Sequence, residues 1–150
     1  MKFLIVILIF LAAWLATILG ERSSKDIATI TITSDEVLYI YDGDTFFIEC
    51  IPELKCEKDK IGVRALGLDT PEIKGKCDSE KKRAQAAKKA LVALIRHSKL
   101  IRIESEQGNK QYDKYGRLLA QVWFDEVNWV DHLIEHDYGR AWKGKREEWC

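Results

Sequence analysis

Only one long stretch of this chain, residues 77–98, carries its apolar side chains at helical spacing, with Ala84, Ala87, Leu91, Leu94 and Ile95 on a single stripe. Lys81, Lys82, Lys88 and Lys89 lie largely off that stripe, and Asp78 or Ser79 is the expected N-cap. On either side the apolar residues come in short runs with a period of two. Ile27 to Thr33 alternates Ile with Ala and Thr, as a half-buried strand does. Val37 to Tyr41 and Thr45 to Cys50 flank Asp42-Gly43, a strong turn signal. After a charged loop, Pro52 to Lys60, further strands are expected over Ile61–Leu68, Leu100–Glu104 and Arg117–Phe124. Asn128 caps a short helix through His136, with Val130, Leu133 and Ile134 inward. Asp137 stands where a helix stop often has Gly, and Asp tolerates the left-handed conformation better than most residues.

A handful of short strands with one inserted helix predicts an α+β, mainly β domain. The expected form is a five-stranded OB-fold barrel with a long inserted helix and a short C-terminal helix, an architecture that commonly binds oligonucleotides. The expected layout is residues 1–20 as a signal peptide or membrane anchor, 21–34 as linker and first strand, and 35–150 as the domain. Phe3 to Leu19 is unbroken apolar sequence behind Met1-Lys2, the arrangement of a secretory signal. Its 17 residues also approach the length of a membrane span. The domain is therefore expected outside the cytoplasm, periplasmic or secreted if the signal is cleaved. Uncleaved, residues 3–19 would be its link to a membrane.

Four cysteines in an exported domain imply disulfides, and three connectivities exist. Cys50 and Cys56 flank a short polar loop that their pairing would close. Cys77 with Cys150 would then tie the chain end to the loop after Glu72. Without residues 1–20 the chain has 23 basic and 24 acidic residues, so overall charge gives no support to nucleic-acid binding. The distribution is uneven, with 6 basic and 12 acidic residues over 21–72 and 11 basic and 4 acidic over 73–110. This places an acidic segment before a basic helix.

Three separated segments carry chemistry. In Arg64-Ala65-Leu66-Gly67-Leu68-Asp69-Thr70-Pro71-Glu72 an arginine sits within an apolar run that ends on two carboxylates around a proline. Both parities of Val63–Leu68 are apolar or small, so the guanidinium must be paired, with Asp44 or Asp69, or must serve a ligand. Asp44, in Asp42-Gly43-Asp44-Thr45, and Asp69 each lie at a strand end, where carboxylates can converge on a hard cation, and Thr70 can add its carbonyl. Glu72 can take a proton from a water. In Asp113-Lys114-Tyr115-Gly116-Arg117 a second guanidinium follows a polar turn. Singly these are a hairpin turn, a surface glutamate and an edge-strand arginine. Jointly they are what phosphodiester hydrolysis needs: metal-binding oxygens, a base and two phosphate-binding forks.

In order and approximate spacing these segments, with Leu119-Ala120, resemble the staphylococcal (micrococcal) nuclease, or thermonuclease, family over about residues 35–142. The ending Trp149-Cys150 is similar to that of its short exported branch. The resemblance implies an OB-fold barrel and an endonuclease cutting DNA and RNA with Ca2+; separately, a monomer is expected. By position it implies calcium at Asp44, Asp69 and the Thr70 carbonyl, Glu72 as general base, and phosphate binding by Arg64 and Arg117. Lys114 and Tyr115 would lie near the bound nucleotide, and the products would be a 3′-phosphate and a 5′-hydroxyl. An anchored structural or interaction protein with the barrel as scaffold is one rival reading, and two more stand beside it. One is an exported OB-fold module that binds oligonucleotides without cutting them. The other reads His132-Leu133-Ile134-Glu135-His136 as the inverted zinc-peptidase signature.

Overall fold

The structure, a computed structural model, describes residues 27–54, 56, 58–108 and 111–150. The apolar run 3–19, expected as signal or anchor, lies outside the described residues. Among those described, no helix is long and apolar enough to cross a membrane.

The elements are β1 (Ile27–Ile32), a 3-10 turn (Ser34–Glu36), β2 (Val37–Ile40), β3 (Thr45–Glu49), β4 (Lys60–Ala65) and β5 (Leu68–Asp69). Helix α1 (Asp78–His97) precedes β6 (Ile101–Glu106), β7 (Leu118–Phe124), β8 (Val127–Asn128), α2 (Trp129–Glu135) and β9 (Arg140–Ala141). Among the described residues the fold is mixed, mostly strands with two helices. Period-two alternation builds the main sheet directly. In β6, Ile101, Ile103 and Ser105 face inward, and in β7 so do Leu118, Ala120, Val122 and Phe124.

The main sheet runs β1-β6-β7-β4-β3-β2, with β8 added to β7. Its two ends, β1 and β2, are consecutive in the chain, yet no ladder pairs them. The sheet is therefore not closed into the five-stranded barrel that the sequence predicts. Thr33 and the 3-10 turn interrupt the ladder there, with the Thr33 amide donating to Glu36 Oε2 at 2.8 Å. A second correction concerns Ile61–Leu68, expected as one strand. It breaks at Gly67, whose φ of +86° suits glycine. Leu68–Asp69 then leaves the main sheet to pair with Arg140–Ala141.

The core joins Phe46, Val63, Ile103, Leu118, Val122 and Trp129, all fully buried, to the apolar stripe of α1. Trp129 packs its ring 5.4 Å from Phe46 and 6.0 Å from Phe124, centroid to centroid. Burying such a side chain contributes on the order of 2–3 kcal/mol. Ala84, Ala87, Leu91 and Ile95 point inward from α1 as their spacing predicts, and Leu94 packs beside them partly buried. The N-cap is Cys77, one residue before the expected Asp78 or Ser79, with its sulfur accepting from the Glu80 amide at 3.4 Å. Asn128 caps α2 by accepting from the Asp131 amide, and Asp137 takes a φ of +60° just beyond it.

Both cysteine pairs are disulfides, Cys50–Cys56 and Cys77–Cys150. They suit a protein that works in an oxidising compartment.

Candidate active site

The loop between β2 and β3 delivers two acids beneath a cleft. Gly43 lets this loop press against α1, for a Cβ there would lie 2.6 Å from that of Ala87. Asp42 Oδ1 accepts from the Asp44 amide at 3.1 Å, and the Ala65 amide donates to the Asp44 carbonyl at 3.0 Å. These bonds pin Asp44 beside β4. Arg64, opposite Thr45 in the β3–β4 ladder, donates through Nη1 to Asp44 Oδ1 at 2.6 Å. Of the two partners the sequence allows, Asp44 is the one used.

β7 pairs with β4 in parallel, setting Leu118 opposite Val63 and so bringing Arg117 alongside the same strand. The turn before it is wound around Asp113. Its Oδ1 accepts from the amides of Tyr115 and Arg117, and its Oδ2 from Arg117 Nε at 2.7 Å. Burial disfavours the charged carboxyl of Asp113. The two amides and the Arg117 guanidinium outweigh that and hold it below the usual carboxylate range. Gly116 turns the chain at a φ of +75°. Arg117 Nη1 donates to Thr45 Oγ1 at 3.3 Å, and that hydroxyl donates to Asp44 Oδ1 at 2.7 Å. The two arginines are thus joined through Thr45 and Asp44.

Arg64, Glu72, Lys114, Tyr115 and Arg117 line one cleft of about 700 Å³. Tyr115 is 72% exposed at its mouth, with Lys114 Nζ and the Arg117 guanidinium within 5.0 and 5.4 Å of its ring centre. Asp44, Asp69 and Thr70 do not line that cleft; each is 2% exposed or less. Asp69, opposite Arg140 in the β5–β9 ladder, accepts from Arg140 Nε at 3.0 Å through Oδ2. Glu72 Oε1 accepts from Arg146 Nη1 at 2.5 Å.

Several members of this neighbourhood escape the sequence reading. Asp42, a turn residue by its Asp-Gly pair, is buried in the cleft floor. Burial first, and then the charge of Asp44, push its carboxyl up to about 8. Arg140 and Arg146 reach the acids from the C-terminal segment, and no local pattern marks them. Glu80 does carry a signal. It falls four residues before Ala84 on the apolar stripe of α1, a carboxylate where the period asks for an apolar side chain.

Among the described residues, no group of three or more His, Cys, Asp or Glu side chains is gathered closely enough to hold a metal ion. The donors near the cleft still match a hard cation in kind, being carboxylate and carbonyl oxygens. Asp69 Oδ1 is buried without a hydrogen bond, and so is Thr70 Oγ1. The other candidate metal motif behaves as a helix end. His136 Nδ1 lies 2.8 Å from the His132 carbonyl, the two ring centres are 4.3 Å apart with the planes tilted by 33°, and Glu135 is exposed.

Compared with known families, residues 62–148 match the model described as staphylococcal nuclease homologue. No curated protein matches the chain.

Proposed function

Because this chain belongs to the staphylococcal nuclease homologue family, a nuclease-like role on nucleic acids is its starting point, and we propose that it is an exported, calcium-dependent endonuclease cutting DNA and RNA. The observation that carries the reading is the single cleft in which Arg64, Glu72 and Arg117 meet from separated stretches of chain. Arg64 and Arg117 present planar forks to a phosphodiester, a fit that lysine does not reproduce. Arg64 lies on β4 and Arg117 directly before β7, and each is held by a carboxylate, so their geometry is set before substrate arrives. Lys114 and Tyr115 would meet the adjoining nucleotide, by charge and by stacking.

Glu72 is the proposed base. With Oε1 on Arg146, its Oε2 takes the proton of a water attacking phosphorus. A P–O bond to that water forms and the bond to the 5′-oxygen breaks, leaving a 3′-phosphate and a 5′-hydroxyl once the 5′-oxygen takes a proton from solvent. The two guanidiniums hold the charge that gathers on the phosphoryl oxygens in between. Asp44, Asp69 and the Thr70 carbonyl would hold Ca2+, which when bound supplies charge neutralisation at the phosphate.

The test is incubation of the purified protein with plasmid DNA and with RNA, in calcium and in chelator. Cutting in calcium alone, slowed about a hundredfold or more by Glu72→Gln, is the expected result. Retention of oligonucleotide with no cutting in calcium would replace this proposal with the binding module.

A further inference from the structure

The segment after β9 folds back toward the cleft, and from it Arg146 reaches Asp69, Glu72 and Glu80. Arg140 donates to the carbonyls of Glu147 and Glu148, and its guanidinium carbon lies 3.9 Å from the centre of the Trp149 ring. These contacts wrap residues 147–149 around the arginine that holds Asp69. Cys150 is then locked to Cys77, the N-cap of α1. Between these anchors stands Arg146. Its Nη1 is 2.5 Å from Glu72 Oε1 and 3.6 Å from Asp69 Oδ1. Its Nη2 donates to Glu80 Oε1 at 3.1 Å and to the Thr70 carbonyl at 3.4 Å.

Glu80 completes the arrangement from below. It is 4% exposed, and it accepts from the backbone amides of Glu72 at 3.2 Å and Lys76 at 2.8 Å. Gly75 packs so tightly on it that a Cβ would lie 2.5 Å from its carboxylate. Burial opposes the charge on Glu80, but the two amides and Arg146 together keep the carboxyl below its ordinary range. Glu72 is thereby gripped twice, at its amide by Glu80 and at its carboxylate by Arg146. One guanidinium spans both acids, which a single ammonium cannot do.

We infer that Arg146 and Glu80 are positioning residues for Glu72, and that the Cys77–Cys150 disulfide acts on the reaction by holding Arg146 over the cleft. This rests on the proposal that Glu72 is the base, so the experiment reads geometry and turnover separately. The variants are Arg146→Ala, Arg146→Lys, the double Cys77→Ser/Cys150→Ser, and the double combined with Arg146→Ala. The Cys77→Ser change keeps a side-chain acceptor, now an oxygen, at the N-cap. For each variant, kcat and KM on DNA in calcium are measured beside amide hydrogen exchange at Glu72 and Lys76.

Arg146→Ala should lower kcat about tenfold or more with KM within about twofold, the signature of a misplaced reacting group. Exchange at both amides should quicken, and Arg146→Lys should recover part of kcat. The serine double should lose a similar factor, and adding Arg146→Ala to it should cost nothing more. The inference is overturned if Arg146→Ala leaves kcat and exchange as in the wild type, or if the two losses multiply. Should the wild type fail to cut while both variants still loosen the Glu72 and Lys76 amides, the positioning stands and the nuclease reading falls. If the serine double does not fold, Arg146→Ala and Arg146→Lys decide the matter.

Discussion

Arg64 has two tasks, which different substitutions separate. Its guanidinium faces the cleft and also neutralises Asp44, a carboxylate only 2% exposed. Arg64→Ala leaves that charge buried and unpaired, so it should cost about 3 kcal/mol of folding stability as well as activity. Arg64→Lys keeps a cation beside Asp44 but loses the fork. It should cut about a hundredfold slower with little change in its urea unfolding midpoint, and Arg117→Lys should behave alike. Asp42 gives a pH signature. Its carboxyl titrates near 3.8 when unfolded and at about 8 when folded. Between those values the folded state keeps a proton that the unfolded state releases, so stability falls as pH rises through this window and levels off above it. Urea unfolding in chelator at pH 5 and pH 8 should show the loss, and Asp42→Asn should flatten it.

At the level of elements, the approach of the β2–β3 loop to α1 sets the depth of Asp42 and Asp44. It depends on two small residues in contact, Gly43 and Ala87. Gly43→Ala forces the loop off the helix and should cost about 1–3 kcal/mol, the usual penalty for overpacking. Adding Ala87→Gly removes the opposing methyl. It should restore part of the thermal midpoint despite the roughly 1 kcal/mol that glycine costs inside a helix. If the double variant is no more stable than Gly43→Ala, the contact is not what sets the loop. The parallel β4–β7 ladder is the other decisive element, because it sets Arg117 beside the strand that carries Arg64.

Over the whole molecule, the two disulfides close loops of very different size, with sequence separations of 6 and 73. Loop-closure entropy assigns about 2 kcal/mol to Cys50–Cys56 and about 4 kcal/mol to Cys77–Cys150. Urea unfolding of the two serine doubles should rank them in that order. A larger loss from the Cys50–Cys56 double would mean that native contacts, rather than chain entropy, carry the effect. The long bridge joins Cys150 to the cap of α1, and Arg146, four residues before Cys150, lines the cleft.

What the sequence determined by itself is what repeats locally. Period two marked the strands of the sheet, helical spacing marked α1 and its inward face, and the order of the three motifs marked Arg64, Glu72, Lys114, Tyr115 and Arg117 as neighbours. Tertiary structure alone decided how the sheet ends, which arginine answers which acid, and that Arg140 and Arg146 return from the chain end to Asp69 and Glu72. It alone pushes the Asp42 carboxyl up to about 8. Periodicity is a property of neighbouring residues, whereas charge pairing and desolvation depend on whatever distant segment packs alongside. The Cys77–Cys150 tie is a long-range feature that the sequence narrowed to one of three connectivities, because four cysteines have few ways to pair.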